Sequence, residues 1–258
     1  FIEAQRGVAG GAGLVSDHAL GLNVGLNITT NVSNAATLDL TGLSTFYANL
    51  GAANFVVGDP TNSGGTAAAG STVMLAPTST IFATSITADS ASNPNAVQQI
   101  KLGSGTNQFN ANTVTIGGSA NRGAGSLTFN GANGTLKIRN LAGTGRATMN
   151  VQNGSTGTGS TPIGTVDFAG HGVDLYLGTL TIGGRSGLTT GSGTGTFTYD
   201  TAASDAPSGI GLDATTINVA SRTGTAGTSG NVTGTLNIGA NATIGTLTMS
   251  TNSVALTS

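Results

Sequence analysis

Residues 113–118 read TVTIGG and residues 179–184 read TLTIGG; residues 216–221, TINVAS, repeat the pattern with the glycine pair relaxed. In each copy apolar side chains alternate with Thr or Asn: Val114 and Ile116, Leu180 and Ile182, Ile217 and Val219. Alternation at period two sends the apolar set to one face of a pleated strand, so each copy reads as a strand with one buried side. A Gly/Ser/Thr-rich loop carrying one Arg follows (Arg122, Arg185, Arg222). A second strand then closes each unit: GSLTF at 125–129, GTFTY at 195–199 and GTLNI at 234–238. Twice a GAN-type turn adds a third strand, in NGANGTLKI over 130–138 and GANATIGTLTM over 239–249.

The distance between first and second strand is not constant. It is 13 residues from Val114 to Leu127, 17 from Leu180 to Phe197 and 19 from Ile217 to Leu236. Hairpins in a sandwich hold such spacings fixed. In a parallel solenoid each coil stacks on the last, and an oversized loop bulges from a corner. Loop growth there costs only about 0.6 kcal/mol per doubling. The variable spacing therefore selects the solenoid.

The same alternation recurs along the chain, at Leu20/Leu22/Val24/Leu26/Ile28, Leu38/Leu40, Leu136/Ile138, Met149/Val151, Val166/Phe168, Leu175/Leu177 and Leu247/Met249. Gly, Asn or Ser bounds most of these runs, and Gly and Asn accept the left-handed conformation that corners require. Helical periodicity is nearly absent; FIEAQRG at 1–7 has room for one turn of helix. At about 22 to 35 residues per coil the chain accommodates roughly eight to ten coils, rising about 4.8 Å each. Turn residues Asn130, Asn133, Asn237 and Asn241 are placed to stack into amide ladders.

Composition agrees. Gly fills 43 of 258 positions and charged residues only 7%, against usual shares of about 7% and 25%. Low charge with 37% hydrophobic residues excludes a disordered chain. Gly without a three-residue period excludes collagen. A net charge of −2 is too small to match a row of phosphates, so nucleic acid is not the expected partner. With no Cys there are no disulfides and no cysteine-based metal sites. No run approaches the 18 or so apolar residues of a membrane span. A start at Phe1 reads as the product of processing.

The units TVTIGG…GSLTF, TLTIGG…GTFTY and GTLNIGANATIGTLTM resemble the strand repeats of autotransporter passengers and related bacterial surface proteins. The resemblance is clearest over 105–250. It implies a right-handed parallel β-helix and a surface location, and no particular activity.

Candidate chemistry is sparse. Asp167, His171 and Asp174 in VDFAGHGVDLYLG form the densest ionisable set. Carboxylates on one solvent-facing sheet could flank a glycosidic bond, and Asp167, alternating with Val166 and Phe168, should face outward. No Lys, Arg or Trp adjoins them in sequence, so a polar outer face beside a turn is the expected reading. Calcium loops need aspartates that GGSAN and GGRSG lack, and Asp59 and Asp213 stand alone. GGAG at 10–13 and GSGTG at 191–195 open no helix and cradle no phosphate. His18 and His171 are the only histidines, too few for a zinc site or a choice of catalytic bases. N-x-S/T sequons begin at Asn27, Asn31, Asn133, Asn153, Asn231 and Asn241, close to chance in this composition.

The expectation is therefore an all-β, right-handed parallel β-helix (β-solenoid) over 20–258 with variable Gly/Ser/Thr-rich corner loops, preceded by a docking arm at 1–19. The expected role is a structural extracellular protein, the subunit of a self-assembling surface fibre, sheath or matrix. An adhesin stalk that contacts cell-surface glycans is the alternative, and a polysaccharide-processing enzyme comes third, since 4% aromatics leave few stacking faces for sugars. No catalytic residue, cofactor or metal is expected. End-to-end self-association is, because TLTMSTNSVALTS continues the alternation and no charge lies between Arg222 and Ser258.

Overall fold

The structure is a computed structural model that describes residues 3–6, 12–17, 21–24, 35–58, 70–89, 96–118, 123–154, 162–186, 192–199, 211–225, 231–239, 241–250 and 252–255. Among them there is no helix, and hence none long and apolar enough to cross a membrane. The strands form two sheets, of 13 and 7 strands. The sequence neighbour of a strand lies in the other sheet or further along the same rung, while its pairing partner comes one coil later. That arrangement is a parallel β-solenoid, the architecture the unequal loop spacings selected.

One inward column of the smaller sheet runs Leu38, Val73, Ile100, Leu127, Val166, Phe197, Leu236, each in register with the next. Its members stand 35, 27, 27, 39, 31 and 39 residues apart in sequence. Coils this long make the stack shorter than the eight to ten coils expected. Seven strands in this sheet span only about 30 Å at ~4.8 Å per step. The stack also reaches back well before residue 105, through Thr78–Ala88 and Val97–Leu102 to Thr45–Asn49. Those earlier strands lack the double glycine that marks the later units.

The N-terminal segment enters the larger sheet. Ala12–Asp17 pairs in parallel with Thr45–Asn49, and Glu3–Arg6 folds back antiparallel on Ala12–Asp17. The helical turn with room at 1–7 is thus a strand over Glu3–Arg6. Leu20, Leu26 and Ile28 lie outside the described residues.

The larger sheet supplies two straight columns to the core. One runs Phe55, Ile86, Val114, Met149, Leu180, Ile217, Leu247; the other runs Val57, Ala88, Ile116, Val151, Ile182, Val219, Met249. From Phe55 to Ile217 the first column is fully buried, and so is the second from Val57 to Val219 within 2%. Each fully buried Val, Ile or Leu contributes about 1.5–3 kcal/mol of transfer free energy. Parallel stacking repeats that gain at every rung.

The TIGG motif has a steric origin. The residue after the second column turns the chain, and it is left-handed on nearly every coil: Gly58 (φ 91°), Gly117 (73°), Gln152 (53°), Gly183 (65°), Ala220 (54°) and Ser250 (52°). Across the corner the other sheet answers with its own aligned column, Gly125, Gly164, Gly195 and Gly234. A Cβ on these would lie 2.4, 2.4, 2.3 and 2.6 Å from the backbone nitrogens of Gly117, Gln152, Gly183 and Ala220. Backbone meets backbone here, which is why GSLTF, GTFTY and GTLNI all begin with Gly. Ala220 holds its position in the left-handed region at a cost of about 1–2 kcal/mol. Ala220→Gly should therefore raise the unfolding free energy by about 1 kcal/mol, read from denaturant midpoints, because strain relief exceeds the added chain entropy. An unchanged or lower midpoint would contradict the corner assignment.

The expected amide ladder differs from what is built. Of Asn130, Asn133, Asn237 and Asn241, Asn237 reaches the neighbouring coil, its Nδ2 donating to Thr198 Oγ1 at 3.3 Å. Buried amides at other positions do the bridging. Asn107 Nδ2 donates to the carbonyls of Gly103 (2.9 Å) and Thr135 (3.1 Å), and Gln98 Oε1 accepts from Ser71 N–H (2.8 Å). These groups satisfy backbone that the corners leave unpaired, as buried polar atoms require.

Candidate functional site

Asp167, His171 and Asp174 are adjacent in sequence and divergent in space. Asp167 ends the strand Ile163–Asp167 of the smaller sheet, exposed as expected, and its Oδ1 accepts the Ala169 N–H at 3.0 Å. It closes a turn. His171 lies in the bend between the sheets, only 8% exposed. Its ring stacks on Phe129 with centroids 3.8 Å apart and planes at 10°, extending an edge-to-face series of Phe129, Phe168 and Phe197. His171 thus packs as an aromatic. Asp174 is the third residue of the next strand, Gly172–Ser186, on the outer face of the larger sheet. The two carboxylates consequently sit on different sheets and do not flank a common groove.

Asp174 has the cationic neighbour that its local sequence lacked. Both its oxygens accept from Arg139 Nη2, at 2.7 and 2.6 Å, and Arg139 Nη1 donates to the carbonyls of Ile138 (2.8 Å) and Asp174 (2.9 Å). Asp213, alone in sequence, is paired too. Arg146 Nη2 lies 2.9 Å from its Oδ1, and Arg146 Nη1 donates to the carbonyls of Leu177 (2.7 Å) and Asp213 (3.2 Å). Between these pairs stands Tyr176, whose ring carries the Arg146 guanidinium at 4.0 Å and the Arg139 guanidinium at 5.3 Å. Such stacking adds about 0.5–2 kcal/mol depending on desolvation.

Register explains the convergence. Tyr176 pairs with Asp213 and Asp213 with Thr243, while Arg139 follows the Ile138–Leu175 pair by one residue. Arg139, Tyr176, Asp213 and Thr243 therefore form one outer column, one residue per coil. A cleft of about 460 Å³ opens over it, bordered also by Thr144 and Asn241. With two arginines and two aspartates the site is neutral, and the guanidinium groups are already committed to carboxylate and carbonyl oxygens. Sequence reasoning missed Arg139, Arg146 and Tyr176. Laying TLKIR, GVDLY and GLD over one another as successive rungs would have found most of the column.

Asp59 and His18 lie outside the described residues. Among the described residues no group of three or more His, Cys, Asp or Glu is gathered closely enough to hold a metal ion.

A second feature is the last rung. Among the described residues the buried columns carry no polar cap: Leu247 is 47% and Met249 65% exposed, directly above Ile217 at 0% and Val219 at 2%. On the opposite sheet Leu236 and Ile238 are partly buried where Phe197 and Tyr199 beneath them are covered. Among the described residues no further strand covers the core at this rung.

Compared with family models, with curated proteins and with solved structures, the chain matches none, and nothing in these comparisons supports the resemblance to autotransporter passengers.

Proposed function

We propose that this protein is a structural component of the cell exterior that assembles end to end, a second copy of the chain covering the open rung at Ala242–Met249. The open rung is the observation that carries this reading. Among the described residues no strand pairs with the outer edge of Ala242–Met249, and such an edge, with Leu247 and Met249 exposed and no charged residue, is a template for another strand. Natural edges of this length usually carry Lys, Pro or a covering element. The two columns that end at Leu247 and Met249 begin at Leu22 and Val24, in parallel register with Phe55 and Val57, so the opposite end of another copy offers a parallel strand of matching pattern. Joining unlike ends is heterologous and produces an open filament unless the rotation closes. A fold with few charged residues and repeated coils suits a fibre, sheath or matrix outside the cell.

Sedimentation of the wild type and of Leu247→Lys/Met249→Lys tests this. The wild type should form concentration-dependent polymers, and the double variant should sediment as a monomer with unchanged β-sheet circular dichroism. A wild type that stays monomeric at all concentrations would overturn the fibre reading and leave the adhesin stalk in its place.

A further inference from the structure

We propose that the cleft over Arg139, Tyr176 and Asp213 binds a neutral saccharide. Its volume, about 460 Å³, falls within the ~300–1,000 Å³ of ordinary small-molecule sites. Its charge balance selects the ligand class. Arg139 spends Nη1 and Nη2 on Asp174 and on the Ile138 and Asp174 carbonyls, and Arg146 spends Nη1 and Nη2 on Asp213 and the Leu177 carbonyl. An anionic ligand would have to displace a carboxylate from a guanidinium, and a cationic ligand the reverse. Either exchange leaves a partly buried charge uncompensated.

A ligand with hydroxyl groups needs no such exchange. Thr144 and Thr243 offer hydroxyls that donate or accept, and Asn241 an amide that does both. Asp213 bonds Arg146 through Oδ1, and a carboxylate carries acceptor sites on both oxygens. Tyr176 supplies the aromatic edge that the sparse aromatic content made unexpected. Donors and acceptors thus both line a neutral hollow, the complement of a polyhydroxylated, uncharged molecule. The column comes from successive coils, so the groups stand about 4.8 Å apart along the axis. Neighbouring hydroxyls of one sugar ring or of a disaccharide span such distances.

Calorimetric titration of the full chain with cellobiose, maltose, lactose and diacetylchitobiose tests the proposal, with glucuronic acid and glucosamine as charged comparators. At least one neutral disaccharide should bind in the millimolar range or tighter, and neither charged sugar should bind better. Thr243→Val with Asn241→Ala, both exposed positions outside the ion pairs, should weaken that binding by at least about tenfold at unchanged melting temperature. Absence of binding by all four neutral sugars would overturn the proposal. So would preference for a charged sugar, or equal affinity in wild type and double variant.

Discussion

Ile182→Asp is expected to cost about 4 kcal/mol or more of folding stability, enough to unfold the protein at room temperature or to leave it aggregated. Ile182 is fully buried, stacked between Val151 and Val219 in a column of aliphatic side chains. A carboxylate there has no donor to meet it, and either stays charged in an apolar stack or takes up a proton at a similar penalty. The matched control is Thr215→Asp, since Thr215 is exposed on the adjacent coil; its effect should be within about 0.5 kcal/mol. Thr181, the neighbour of Ile182 that alternation alone assigns to solvent, is unsuitable as the control. It is only 8% exposed, with its methyl group near the space a side chain at Gly184 would fill. Equal denaturation midpoints for Ile182→Asp and Thr215→Asp would contradict the inward column.

Gly195→Ala should cost about 3 kcal/mol, a large loss for a single methyl group. A Cβ there would lie 2.3 Å from Gly183 N and 2.5 Å from the Val151 carbonyl oxygen. Both are backbone atoms pinned in the facing sheet, so no side chain can swing aside to relieve the contact. Gly42→Ala provides the comparison: a Cβ at Gly42 meets nothing within 4 Å. It should be nearly silent in thermal melts, while Gly195→Ala lowers the transition. Indistinguishable melts would mean that the corner is looser than backbone-to-backbone contact allows.

The strands were readable because their physics is local. Val114/Ile116, Leu180/Ile182 and Ile217/Val219 alternate within five residues, and all six are buried as alternation demands. The loop spacings then distinguished solenoid from sandwich. What was not readable depends on contacts between coils. Asp174 meets Arg139 across 35 residues and Arg146 meets the Asp213 carbonyl across 67, with loops of unequal length between them. Those loops hide the register, and without register neither the neutral cleft nor its column can be seen. His171 looked like chemistry because it sat between two aspartates; the coil geometry turned it toward Phe129. The glycines of the GTFTY-type strands looked like turn residues, and their reason lies in the left-handed corner of the other sheet.

On the proposed reading, another copy of the chain continues the solenoid at Ala242–Met249. Fibre diffraction from aligned, concentrated wild-type protein tests it most directly, because the repeat of the coils and the axis of the filament must coincide. Filaments with a reflection near 4.8 Å along the fibre axis are expected, absent when Leu247→Lys/Met249→Lys is prepared the same way. Filaments whose ~4.8 Å reflection lies across the axis, or discrete particles of one chain at every concentration, would contradict it.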